Sequence, residues 1–171
     1  ACAEAQLACG NNDGAIISAN AVNVHGRCLN DKLSAKYTIY TALYTQGKIE
    51  YACHKAICVL DELGIRLPSL ETQIESAPVR SELIKTEKLM MSLRSEDLVT
   101  RPMSEDCGKS SSFIMKFLFS LCHIVYVTKP DFFPLVVFRM VQITLERPIT
   151  SEASFAFATY SNILCKFGLR D

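Results

Sequence analysis

LSAKYTIYTALYTQGKIEYACHKAICVLDELGIRLP, Leu33 to Pro68, is the stretch on which the reading of the fold turns. Tyr37, Ile39, Tyr40, Leu43 and Tyr44 recur at helical spacing before Gly47. Ile49, Ala52, Cys53, Ala56, Ile57, Val59, Leu60 and Leu63 do the same after it. A glycine between two such runs can take the left-handed conformation that ends the first helix. Gly64 ends the second in the same way, with Pro68 four residues on to prevent continuation. Ala52 and Ala56 lie one turn apart, so a partner helix can approach closely there. The stretch therefore predicts a tight antiparallel helix pair whose apolar faces need further neighbours.

One neighbour is visible upstream. Shifted back by 37 positions, Gly47, Ala52, Ala56 and Val59 fall on Gly10, Ala15, Ala19 and Val22. Tyr44 and Ala42 fall on Leu7 and Ala5. A repeat of this length marks stacked helical hairpins.

The run Tyr44 to Ala52, with an aromatic, a glycine and an alanine five residues later, resembles the turn of a tetratricopeptide repeat. A wider pattern joins Gly47 and Ala52 to Leu63–Pro68 (LGIRLP), Ser95–Leu98 (SEDL) and Arg101–Asp106 (RPMSED). It continues through Pro130–Glu146 and the run from Ser151 through Ala156, Tyr160, Ile163, Leu164, Cys165 and Gly168. It is similar to the helical region of very large signalling proteins. In these a protein-kinase-like domain and an AAA/STAND-type ATPase precede a tetratricopeptide-like array, and sensor, histidine-kinase or cyclase modules follow. The resemblance covers about Leu33 to Asp171 and contains no catalytic motif. It implies a cytoplasmic coupling segment, with kinase and ATPase activity confined to other parts of a longer protein.

Composition narrows the function classes. The 171 residues suffice for one domain with a sizeable core, and the 49% hydrophobic content exceeds that of a solvated linker. Eighteen basic and eighteen acidic side chains cancel, leaving no electrostatic footprint for nucleic acid or an anionic membrane surface. There is no signal-peptide pattern at Ala1, and both ends read as cut from a longer protein. The eight cysteines, Cys2, Cys9, Cys28, Cys53, Cys58, Cys107, Cys122 and Cys165, include no Cys-x-x-Cys. They read as buried or half-buried free thiols rather than a disulfide framework.

The rest of the chain extends the helical pattern. Glu4 to Cys9 reads as the end of a first helix, and Asp13 to about Val24 as the second. Asn30 or Asp31 can cap a third over Lys32 to Gln46. Lys48 to about Leu63 forms the fourth. Ser69 can cap a short helix over Leu70 to Ser76. Pro78 suits the first turn of a helix reaching Leu93, or kinks one longer helix. Ser95 to Leu98 suggests one turn and Arg101 to Met103 a connector. Ser104 or Asp106 opens a helix whose segment Phe113 to Val127 reads as the most apolar, buried on most sides and too short for a membrane span of about 20 residues. Asp131 and Pro134 start a helix to Glu146, and Ser151 caps the last.

Four groups invite a chemical reading. Gly108-Lys109-Ser110 matches the end of a phosphate-binding loop, but Met103 stands where the first glycine belongs and no buried strand precedes it. His54 and Cys58 are one turn apart and could reach one metal ion. Zinc wants more ligands than this, so the pattern reads as a core pair, Cys53 and Cys58, beside a surface histidine. His123 reads as a hydrogen-bonded core residue, since Cys122 beside it points about 100° away. The acidic pairs Asp61-Glu62, Glu96-Asp97 and Glu105-Asp106 read as caps and solvated faces.

The sequence thus predicts an all-α, tetratricopeptide-like superhelix of about eight helices without a sheet. Residues 1–68 form its regular helix pairs and 69–171 an irregular continuation of the same domain. The predicted function is a non-catalytic scaffold or coupling segment of a multidomain ATPase-linked signalling kinase. A free-standing peptide- or protein-binding repeat domain and a small helical enzyme or ligand carrier using His54 or His123 are the alternatives. No catalytic, cofactor or metal residue is assigned. Partners are expected to be protein, with no nucleic acid and no membrane insertion.

Overall fold

The computed structural model describes residues 2–72, 74–92 and 105–166, with side chains in the last range from Lys109 onward. Eight helices make up the described fold: α1 (Cys2–Ala8), α2 (Asn12–His25), α3 (Leu29–Thr45), α4 (Ile49–Glu62), α5 (Ser76–Ser92), α6 (Glu105–Thr128), α7 (Phe133–Glu146) and α8 (Ala153–Lys166). The described residues contain no strand, and the protein is all-α. The segment Ser95 to Met103 lies outside the described residues.

The chain divides into two compact units, Ala1–Arg66 and Leu67–Asp171. In the first, α1 pairs with α2 and α3 with α4, while α3 also packs on α2 and α1. The glycines that separate the helices explain this. Gly10, Gly47 and Gly64 have φ of +78°, +74° and +79°. At each, the glycine N–H donates to the carbonyl three residues back and the next N–H to the carbonyl five back from itself. The second bond is Asn11 to Gln6 at 2.9 Å, Lys48 to Leu43 at 3.0 Å and Ile65 to Leu60 at 2.8 Å. This pair of bonds satisfies the last carbonyls of a helix and reverses the chain. Gly10 and Gly47 therefore close their helices with one and the same turn.

The small residues follow the same register. Ala15, Ala19, Ala52 and Ala56 are all fully buried, so the backbones approach where no larger side chain intervenes. The match fails at the end of each hairpin. Val59 is 4% exposed but its counterpart Val22 is 43% exposed. The exits differ: after α4 the turn at Gly64 folds Ile65 back into the core, whereas Gly26 leaves α2 in an extended conformation. Polar links also tie the helices. Gln46 Nε2 donates to Asp13 at 2.8 Å, and Lys36 pairs with Glu62 at 2.7 Å. Ser34 donates to Glu4 at 2.5 Å, which holds that carboxyl below its usual pKa.

A Cβ at Gly47 would meet nothing within 4 Å, so only the backbone conformation opposes a side chain there. Gly47→Ala should cost about 1 kcal/mol in unfolding experiments, the penalty of a left-handed alanine.

Several helix starts differ from the sequence expectation, and one expected helix is a turn. Asp31 is not the cap of α3: the helix begins earlier, after extended Cys28, and Asp31 Oδ2 accepts the Cys28 N–H at 3.3 Å. Leu70 to Thr72 forms a turn instead of a helix, because Ser69 accepts the next amides and the chain does not continue helically. The last helix starts at Ala153, with the Glu152 carbonyl accepting the Ala156 N–H, so Ser151 lies outside it.

In the second unit α7 is the centre, flanked by α5, α6 and α8. Ten residues of α7 are buried: Leu135–Phe138 and Met140–Leu145. The sequence expectation makes Phe113–Val127 the most apolar segment, buried on most sides, and Ile114, Phe117, Leu118 and Leu121 are indeed buried. That segment belongs to the longer α6, whose end exposes Tyr126 and Val127. Pro134 sits in the first turn of α7, where its missing N–H costs nothing. Lys109–Thr128 is apolar and long enough to cross a membrane by composition alone, and 50% of that window is buried inside the protein.

Candidate functional site

The first unit presents its aromatic residues as a ladder. Tyr37, Tyr40 and Tyr44 stand at positions i, i+3 and i+7 of α3. Their rings stack at 5.8 Å and 6.4 Å, with interplanar angles of 24° and 11°. The ladder has buried Tyr40 in the middle, with half-buried Tyr37 on one side and 46% exposed Tyr44 on the other. Its exposed end lies beside the Gly47 turn, and Ile49 (39% exposed) and Tyr51 (70%) follow directly on α4. The exposed Tyr44 ring at this turn can receive an apolar or aromatic side chain of a partner.

The second unit holds a buried polar network. Gln142, wholly buried on α7, donates through Nε2 to Glu82 Oε2 at 2.8 Å and to Thr86 Oγ1 at 3.0 Å on α5. Arg139 Nη1 donates to Gln142 Oε1 at 2.9 Å. A buried amide satisfied on both sides fixes one register between two helices. Gln142→Leu should therefore cost about 1 kcal/mol, the lower end for an orphaned buried polar group, because half-buried Glu82 and Arg139 can turn to water. Thermal unfolding of the variant checks this. Sequence reading missed the network, since a Gln within an apolar run gives no sign of its partners 56 and 60 residues away.

A groove of about 1000 Å³ lies between the start of α5 and the α6–α7 turn, lined by Val79, Leu83, Ile84, Pro130 and Pro134 with Glu87 and Asp131 at its wall. Among the described residues its lining includes no histidine or cysteine.

The sequence candidates are dispersed. Gly108-Lys109-Ser110 lies inside α6 rather than in a loop ahead of a helix. His54 is exposed, and Cys58, expected in the core, is exposed as well, with its Sγ 3.6 Å from His54 Nδ1. Cys58 lies five positions from buried Cys53, which is more than a full turn and on the other side of the helix. His123 is also exposed rather than core. Its Nδ1 lies 2.8 Å from the Phe119 carbonyl, and its ring stacks on Phe155 at 5.4 Å. Of the acidic pairs, Glu62 is bound to Lys36 and Asp61 is exposed, while Glu96-Asp97 and the side chains of Glu105-Asp106 lie outside the described residues.

The thiols also depart from expectation. Among the seven described, only Cys53 and Cys122 are buried, because only these two face the packed sides of α4 and α6. Burial pushes Cys53 up to about 11, with Glu50 adding to it, and Cys122 up to about 12. Both stay protonated at neutral pH. Alkylation of the native protein should spare these two while labelling Cys2, Cys9, Cys28, Cys58 and Cys165, and peptide mass mapping would show it.

No protein-family model, curated protein or solved structure matches the chain.

Proposed function

We propose that the chain is a non-catalytic, tetratricopeptide-like helical scaffold, a coupling segment within a cytoplasmic multidomain signalling protein of the ATPase-linked kinase type. Its partners are protein surfaces rather than nucleic acid or a membrane. The observation that supports this reading best is the pair of hairpins turned by Gly10 and Gly47 with matched buried alanines. Such units stack through neighbouring faces, each contacting only the next. The charge balance is consistent with it, as is the candidate chemistry's dispersal over separate surfaces. The exposed edge at Tyr44, Ile49 and Tyr51 favours a second reading, a free-standing domain that grips an apolar peptide.

The parent reading frame is the first test, and an ATPase or kinase-like segment upstream is the expected finding. In that parent, Ala52→Leu should leave nucleotide hydrolysis intact while the output no longer follows it. A reading frame with neither segment, or an output that still follows hydrolysis in a variant shown to be destabilised, would overturn the coupling role.

A further inference from the structure

We propose that the groove between the start of α5 and the α6–α7 turn is the docking site for a basic amphipathic helix of a partner protein. The inference rests on the reading that the partners are protein, and it names their chemistry. The groove has an apolar floor: Leu83 is buried, Val79 and Pro134 are half-buried, and Ile84 is 45% exposed. Its walls carry mostly one sign of charge. Glu75, Glu87 and Asp131 line it against the single guanidinium of Arg80. Glu75 and Asp131 are exposed and Glu87 is half-buried. Among the described residues no ion pair neutralises any of the three carboxylates. The nearby ammonium groups are placed elsewhere. Lys129, next to Pro130, donates to the Leu70 carbonyl, and Lys85 and Lys88 line the neighbouring hollow beside Glu146.

This combination selects the occupant. An apolar floor is covered by an apolar stripe, and carboxylate walls favour Lys or Arg on either side of that stripe. The same walls repel phosphate, which disfavours a nucleic acid or an anionic lipid surface. Shape favours a helix. The α5 wall runs from Ser76 to Glu87, about 17 Å, which is the length of three turns of a second helix. A helix lying along it presents residues i, i+3 or i+4, and i+7 to the floor. No strand occurs among the described residues, so an extended peptide finds no sheet edge there to join. The volume of about 1000 Å³ lies at the upper end for small-molecule sites, and Ile84, Pro130 and Asp131 are exposed along it. A chain segment therefore fits the groove better than an enclosed small ligand.

The test is fluorescence anisotropy of a labelled peptide of about 14 residues titrated with the intact chain. The peptide carries Leu at i, i+3, i+4 and i+7 and Lys elsewhere. One comparator has Glu in place of Lys, and a second has its Leu residues shuffled out of helical register. The Lys peptide should bind saturably, and both comparators about tenfold more weakly or worse. Glu75→Lys combined with Asp131→Lys should weaken the Lys peptide by roughly tenfold and flatten its salt dependence. Ile84→Ser should weaken it by about fivefold through lost apolar burial, with the parental salt dependence. Glu50→Lys combined with Asp61→Lys, the same charge change on α4, should leave the affinity parental. All the exchanged side chains are exposed, so circular dichroism of the variants should match the parent. No saturable binding, equal affinity for the Lys and Glu peptides, parental affinity in either groove variant, or an equal loss in the α4 variant would overturn the site. A dimer on sizing that Ile84→Ser dissolves would also overturn it, by seating a second copy in the groove. The parent reading frame tests the scaffold reading separately, so either reading can fail without the other.

Discussion

Phe138→Ala should destabilise the second unit by about 3–5 kcal/mol, the range for truncating a buried aromatic. Phe138 is fully buried on α7, the helix that α5, α6 and α8 all pack against. Its ring meets Tyr160 of α8 edge-to-face at 5.9 Å. The replacement leaves a cavity that neither flank can close easily: Val137 and Met140 are themselves fully buried on the same helix. Exposing Tyr160 would also undo the desolvation that holds its phenol above the usual pKa, an effect to which Glu87 adds. A loss of this size would take most of the stability of a typical domain. Heat unfolding followed by circular dichroism should show a large early transition in the variant. A midpoint within a degree or two of the parent would mean that α7 is not the centre of the unit.

The contrast between the two units shows what was legible in the sequence. In the first, Gly10, Gly47 and Gly64 announced the ends of helices, because a left-handed residue is a local demand that only glycine meets cheaply. The alanines announced the close faces for the same local reason. Exposure at single positions was less legible. Cys58 sits in the apolar rhythm of α4 and still faces solvent, on the side of the helix away from buried Cys53. Val22 matches Val59 in sequence and differs in burial because the chains leave α2 and α4 in different directions.

In the second unit, helix existence was legible and rank was not. Both α6 and α7 are apolar, and hydrophobicity alone does not say which has neighbours on every side. That depends on which helices fold back across it, and on contacts such as Gln142 to Glu82 that span distant parts of the chain. Helix starts such as Leu29 and Ala153 differ by one to three residues from the expected ones, since a sequence offers several residues able to cap one first turn. The sequence candidates for chemistry were all visible as residue types. What the sequence did not carry was their surroundings: the exposure of His123 and of Cys58.

The central claim is that the first unit consists of two equivalent glycine-closed hairpins. It makes a second large prediction. Ala15 and Ala52 occupy one register 37 positions apart, and both are fully buried between closely approaching helices. Leucine at either position forces extra methylenes into a packed interface at about 1–3 kcal/mol. Because the sites are equivalent, the two costs should be similar. Lys48→Ala, at an exposed position of the Gly47 turn, should change stability by less than about 0.5 kcal/mol. Four of the six tyrosines, Tyr37, Tyr40, Tyr44 and Tyr51, lie in this unit, so tyrosine fluorescence reports chiefly on its unfolding. The decisive measurement is denaturant unfolding of Ala15→Leu, Ala52→Leu and Lys48→Ala followed by that signal. The account predicts matched downward shifts of the midpoint for the two leucine variants and none for Lys48→Ala. A parental midpoint for either leucine variant would contradict it.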